Sequence, residues 1–477
     1  MNMNSSSTSG VGPAAGPALP GARPALILLI AINIFNYVDR YVLAAVVGPI
    51  KQTYFGSENA GGAGETLTAI LTWCQQRLGF KPEDALLGLL ATAFMVVYMV
   101  SAPVFARLAE RHSRWVLIGI GVMLWSLASG ASGLAATFLV LLLTRCFVGI
   151  GEAAYGPVAP TVIADFYPVQ IRGRVLAWFF MAIPVGSALG FVLGEAVAKS
   201  NIGAWGASHL GVNVESWRWA FYLVVIPGLL LGLWAFFMRE APRGQADLTT
   251  VAPTASVHWR DYLVLLRTPS YVLCTLGMAA MTFAIGGIAF WMPYYLEGRP
   301  GAPGKPTAVF GAIIALSGLT GTLLGGLAGD KLRGRFPGSY FLVSGVAMLT
   351  GFPVFLAVLR TPFPWVWVLI FLTCFCLFFN TGPTNTILAN VTHPAIRAAG
   401  YALNIFIIHL FGDAISPVII GLLNGYFGDM NKSFLVVGLT FLAAGVLWLC
   451  GARFLERDTR LAPTRLGAKA AGEERKP

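Results

Sequence analysis

Apolar residues in this chain come in long runs, with neither the alternation of a half-buried strand nor the narrow stripe of a water-facing helix. A helix needs ~20 mostly apolar residues to cross a hydrocarbon core. A window of that length picks out about twelve stretches: 24–50, 84–107, 115–135, 137–165, 172–199, 217–238, 271–297, 307–329, 339–359, 363–391, 395–425 and 432–455. No soluble domain fits between them. The longest gaps are 51–83 and 239–270, and the second, richer in Pro, Thr, Gly and charge, falls near the chain midpoint.

The pattern predicts an all-α integral membrane protein of twelve spanning helices in two six-helix bundles. Its divisions are an N-terminal tail (1–23), an N-terminal bundle (24–238), a cytoplasmic linker (239–270), a C-terminal bundle (271–455) and a cytoplasmic C-terminal tail (456–477). Residues 1–23 are mostly Ser, Gly, Pro and Ala with a single Arg. They lack a basic n-region and read as a disordered tail before a retained helix.

Composition agrees: 56% of the residues are hydrophobic, 11% are charged, and the mean hydropathy is +0.72. Placing both termini in the cytoplasm puts about two thirds of the 32 Lys and Arg on the cytoplasmic side, as the positive-inside bias requires. The net charge of +11 is then mostly topology, and no nucleic-acid motif accompanies it. The six cysteines form no disulfide framework: five fall in predicted helices and Cys74 stands alone in a loop. Cys374 and Cys376, two apart on a helix, point to nearly opposite faces and make no metal site. No cofactor is implied.

A weak internal repeat supports two parallel halves. Leu108-Ala109-Glu110-Arg111 after the second stretch resembles Ala328-Gly329-Asp330-Lys331 after the eighth, and Ile171-Arg172 resembles Ile396-Arg397, both about 220 residues apart.

Against this background the intramembrane charges stand out. Such groups cost at least ~2.5–3.5 kcal/mol on insertion scales, so they face protein or a water-filled cavity and pair there. They are Asp39 and Arg40 in the first stretch, Arg145 and Glu152 in the fourth, Glu195 in the fifth, and His409 and Asp413 in the eleventh. Arg145 and Glu152, seven residues apart, share a face with about 10 Å between them along the axis. A network of Asp39, Arg145 and Glu152 is therefore expected, either as a fixed ion-pair lock or as a proton-carrying pair of carboxylates. Arg40 points about 100° away from Asp39 and would neutralise another neighbour, support packing or meet a solute. His409 and Asp413, at i and i+4, share a face. Gly149-Ile150-Gly151-Glu152-Ala153-Ala154 has the outline of a dinucleotide loop, but it lies inside a spanning stretch, where small residues serve close helix approach and Pro157 and Pro160 a bend.

Three blocks carry a family resemblance: Asn36-Tyr37-Val38-Asp39-Arg40; Arg145 through Tyr155 with Ala159 through Asp165; and His409-Leu410-Phe411-Gly412-Asp413-Ala414-Ile415-Ser416-Pro417. Together they resemble the Spinster branch of the major facilitator superfamily, over nearly the whole chain. The first block alone also resembles sugar-acid symporters. After the second stretch, Ala106-Arg107-Leu108-Ala109-Glu110-Arg111-His112-Ser113-Arg114 departs from the superfamily's usual loop, with Glu for Asp and no second Gly.

The resemblance implies a proton-coupled carrier of amphipathic lipids such as sphingosine-1-phosphate, sphingosine or lysophospholipid, working as a monomer in a bilayer, and no enzyme. A bacterial inner membrane is the expected location. Asp39 and Glu152 would couple protons, and Arg145 would meet the headgroup. Tyr37, Phe94, Tyr98, Tyr155, Phe283, Trp291 and His409 are further candidates for substrate contact. Arg40, Glu110, Arg111, Asp165, Asp330 and Asp413 are expected to gate, with Arg111 closing on Asp165 and Glu110 set against the start of the eleventh stretch. Positive-inside anchoring is the plain alternative for that loop. The alternative functions are a proton-coupled symporter of small organic anions and a multidrug exporter.

Overall fold

The computed structural model describes residues 18–56, 64–242, 259–393 and 396–465. The expectations for residues 1–17, for 243–258 of the linker and for 466–477 lie outside the described residues. The described chain is helical throughout. Among the described residues eleven helices are long and apolar enough to cross a membrane, and a twelfth crossing is made in two pieces.

The N-terminal bundle has span 1 (Ala22–Ala45), span 2 (Glu83–Arg111), span 3 (Arg114–Leu134), span 4 (Phe138–Ala153 and Ala159–Phe166), span 5 (Val169–Phe180 and Ala182–Ala198) and span 6 (Ser216–Phe236). The C-terminal bundle has span 7 (Pro269–Glu297), span 8 (Pro306–Arg333), span 9 (Ser339–Val358), span 10 (Val366–Phe378 and Thr381–Val391), span 11 (Arg397–Ile408 and Ser416–Phe427) and span 12 (Met430–Gly451). The spans alternate in direction, so the start of span 1 and the end of span 12 come to one side, here the terminal end, and the opposite side is the distal end.

Span 4, expected as one helix, breaks over residues 154–158. Pro157 and Pro160 supply no amide proton there, and Pro160 sits in the first turn of the second piece, where none is missed. Span 11 carries one widened turn at His409–Asp413, where Gly412 leaves helical geometry at φ −111° and ψ −109°. A Cβ on Gly412 would lie 2.8 Å from the Thr282 Cβ of span 7, so close packing requires glycine.

Two gaps hold more structure than hydropathy suggests. Residues 51–83 include the end of a helix at Val47–Phe55 and all of another at Glu65–Leu78. Cys74, expected in a loop, therefore lies on a helix. Within the linker, Trp259–Leu266 is helical.

Within each bundle, span 1 packs on span 5, span 3 on span 6, and spans 7 and 9 on span 12. Between bundles, span 2 packs on the distal half of span 11, and span 5 on span 8. The terminal pieces of spans 10 and 11 pack on helices of their own bundle.

Candidate functional site

Where the two bundles face each other, a cavity of about 180 Å³ lies between spans 1, 2 and 4 on one side and spans 7 and 11 on the other. A buried polar network lies behind one wall, and of its members Arg40 and Arg145 line the space while Asp39 and Glu152 do not. Asp39, Arg145 and Glu152 are each only 1% exposed. Gly149 lets span 4 approach span 2, because a Cβ there would collide with the Phe94 carbonyl. That close approach brings Arg145 beneath the Phe94 ring, with its guanidinium carbon 5.8 Å from the centroid.

The pairing differs from the expected one. Glu152 takes Arg40 rather than Arg145: the Nε and Nη2 of Arg40 each lie 2.6 Å from Glu152 Oε2. The Arg40 guanidinium is also held among Tyr37, Phe94 and Tyr98, at 5.1, 4.9 and 5.4 Å from the ring centroids. Three ring faces and one carboxylate thus stabilise a cation that would otherwise be costly at this depth. Asp39 accepts a hydrogen bond from Ser129 of span 3 and is attracted to Arg145 by charge alone. Arg145 Nε and Nη1, although buried, meet no hydrogen-bond acceptor of the protein. A buried guanidinium in this condition is ready to bind an anion.

The opposite wall carries His409 and Asp413, joined by His409 Nδ1 at 2.9 Å from Asp413 Oδ1. The widened turn in span 11 presents both to the cavity. Met95, Ala289 and Phe290 add apolar surface. Tyr37, Arg40, Phe94, Arg145, His409 and Asp413 line the space, and Tyr98 reaches its edge through Arg40.

Three of the aromatic candidates are used otherwise. Tyr155 is buried and donates to the Leu29 carbonyl. Trp291 is fully buried and donates to the Pro417 carbonyl at 2.8 Å, joining spans 7 and 11. Phe283 is buried where Gly412 meets span 7.

The expected gate residues also sit differently. Asp165 pairs with Arg114 at 2.5 Å, and Arg114 reaches Glu240 at 2.9 Å as well, so one buried guanidinium ties the ends of spans 3, 4 and 6. Arg111, expected to hold Asp165, is exposed at the end of span 2, as is Glu110. Burial raises the Glu240 carboxyl, but bonds from Arg114 and Ser113 outweigh that and hold it below the ordinary range. Asp330 accepts from the Tyr340 hydroxyl at 2.7 Å within the C-terminal bundle.

Sequence reasoning missed the bonds that close the distal end. Glu195, fully buried, accepts from the backbone amides of Ala308 at 2.7 Å and Thr307 at 3.3 Å, so a residue of span 5 caps the N-terminus of span 8. Lys199 bridges Glu195 at 2.6 Å and Glu297 at 3.1 Å. Burial lowers the Lys199 ammonium, and its bonds to these two carboxylates more than reverse that. Nearby, Asp84 receives Lys51 and Asn424, each at 2.6 Å, and Thr92 donates to the Ala414 carbonyl at 2.5 Å. Glu195 stood among the intramembrane charges with no role, because its partners are main-chain groups of the other bundle. Among the described residues no cluster of His, Cys, Asp or Glu fit for a metal occurs.

Comparison with known proteins agrees with this fold. The family model of the Major Facilitator Superfamily matches residues 29–417. The human protein spinster homolog 1 is 34% identical over 93% of this chain and 83% of its own length. The mouse sphingosine-1-phosphate transporter SPNS2 is 30% identical over 88% and 74%. Among solved structures, a bacterial homolog of the human lysosomal transporter Spinster, inward-facing and unoccupied, superposes with a TM-score of 0.75 at 23% identity, over 94% of this chain and 99% of that one. A D-xylose–proton symporter follows at 0.68 and 18%, over 90% and 97%. The protein is a multi-pass membrane transporter and not an enzyme, and the chain belongs to the Spinster family within the major facilitator superfamily.

Proposed function

We propose that the protein is a proton-coupled secondary transporter of amphipathic lipids, sphingosine-1-phosphate, sphingosine or a lysophospholipid, with both termini cytoplasmic in a bacterial inner membrane and the chain acting as a monomer. The observation that carries this reading is the buried Arg145, whose Nε and Nη1 have no acceptor of their own, on the wall of a cavity otherwise rich in aromatic and aliphatic surface. A phosphate leaving water recovers most from a guanidinium able to offer paired donors. A cavity of about 180 Å³ suits a headgroup rather than a whole lysolipid, so the tail extends along the seam between the bundles.

Asp39 and Glu152 are the proton carriers in this account. Each carboxylate is tied to a cation, Asp39 by attraction to Arg145 and Glu152 by contact with Arg40. Protonating either one loosens a guanidinium and changes what the cavity can hold. Alternating access then consists in closing the terminal end and opening the distal end around this site. The competing reading, a small organic anion as cargo, draws on the modest cavity and the same Arg145. Proteoliposomes loaded in parallel with labelled lysolipid, a sugar acid and a cationic dye decide between them. Lysolipid flux alone supports the proposal, and flux of the sugar acid or dye without lysolipid overturns it.

A further inference from the structure

A second cleft lies outside the central cavity, on the membrane-facing side of the C-terminal bundle toward the terminal end. It encloses about 370 Å³ between spans 8, 9 and 10, and Leu332, Val343, Val346, Phe375 and Phe379 are among its lining residues. Val346 is 51% exposed and Leu332 37%, so the cleft opens to the bilayer. An acyl chain gains little by leaving lipid for an equally apolar cleft, and any preference among lipids has to come from its mouth.

The mouth is cationic. Ala328 and Leu332 line the cleft, Lys331 follows Ala328 at i+3 in the last turn of span 8, and Arg335 lies two residues past the end of that helix at Arg333. Lys331 and Arg335 are exposed. The turn after span 8 holds Arg335 close, its amide donating to the Leu332 carbonyl at 3.0 Å. Beside them Phe336 is 41% exposed, as aromatic residues at a membrane–water boundary commonly are. Arg333 turns away to Tyr340, 3.3 Å from its hydroxyl. The acid of this segment, Asp330, is engaged by that same hydroxyl, which leaves Lys331 and Arg335 facing the headgroup region.

We propose that this cleft is a binding site for an anionic phospholipid of the bilayer, with one acyl chain against Leu332, Val346 and Phe375 and the phosphate headgroup held by Lys331 and Arg335. Two juxtamembrane cations, each contributing on the order of 1 kcal/mol toward an anionic headgroup, give about a thirtyfold preference over a zwitterionic one. The test uses the full chain in nanodiscs of mixed phosphatidylglycerol and phosphatidylcholine, released into native mass spectrometry to count the lipids retained. The ratio of retained phosphatidylglycerol to phosphatidylcholine should exceed that of the bilayer by about thirtyfold. The double variant Lys331→Gln with Arg335→Gln should bring that preference close to one, whereas Lys331→Arg with Arg335→Lys keeps it. Val346→Trp, which fills the cleft and leaves the charges in place, should reduce retention of the bound lipid. Equal retention of the two lipids by the wild-type chain overturns the proposal, as does an undiminished preference in the double Gln variant or full retention with Trp in the cleft.

Discussion

The two ends of the seam between the bundles are built differently. At the distal end the bonds cross from one bundle to the other: Glu195 to the first amides of span 8, Lys199 to Glu297, and Asp84 to Asn424. At the terminal end, the named bonds among the described residues lie within one bundle. Arg114, Asp165 and Glu240 tie the N-terminal bundle to itself. Asp458, fully buried, ties the short helix after span 12, Leu455–Leu461, to the start of span 7 through the Ser270 amide at 2.9 Å. Bonds across the seam cost free energy to open, and bonds within a bundle move with it as a rigid body. Among the described residues, this conformation is thus bonded across the seam at the distal end.

That contrast can be broken at named residues. The largest effect belongs to Arg114→Ala, which removes a buried cation from two carboxylates and should lower stability by about 3 kcal/mol. Because its bonds lie within one bundle, distances between spin labels across the distal seam should stay unchanged. Glu195→Gln is the opposite case. It keeps the shape but removes the charge that holds Lys199 and two amides, and it should shift the population toward a distally open form by about 2 kcal/mol. Label distances across the distal seam should lengthen, with little change in melting temperature.

A smaller effect is expected with pH. The Glu240 carboxyl is held below its ordinary range, so its contribution to stability is complete above the unfolded value of about 4.3 and is lost as pH falls through the folded value. Glu240→Gln should melt lower than the wild type at pH 7, and the gap should narrow at pH 3. Smallest of all is Arg111→Ala, which should change stability by no more than about 0.5 kcal/mol and leave the distal distances alone. A marked rise in terminal-side thiol labelling in that variant would restore Arg111 to the gating role first expected of it.

Hydropathy made the spans readable because each must bury its backbone polarity within one helix. The break in span 4 was signalled by Pro157 and Pro160, and the shared face of His409 and Asp413 by their i, i+4 spacing. Partners across helices were not readable. Arg145 and Glu152 share a face by arithmetic, yet Arg40 takes Glu152, because pairing depends on how span 1 is rotated against span 4. The Gly412 turn and the bond from Ser129 to Asp39 likewise arise from packing that one sequence does not encode locally. The capping of span 8 by Glu195 joins residues more than a hundred positions apart through main-chain amides, which have no residue identity to read.

The central claim is that protons and a lysolipid share the network of Asp39, Arg145, Arg40 and Glu152. Its most direct test is the uptake of a labelled lysolipid into proteoliposomes with and without an imposed pH gradient, for the wild type and for Asp39→Asn. The account predicts flux that follows the gradient in the wild type, and a correctly folded Asp39→Asn protein in which that dependence is abolished. Gradient-driven lysolipid flux that persists unchanged in Asp39→Asn would contradict it.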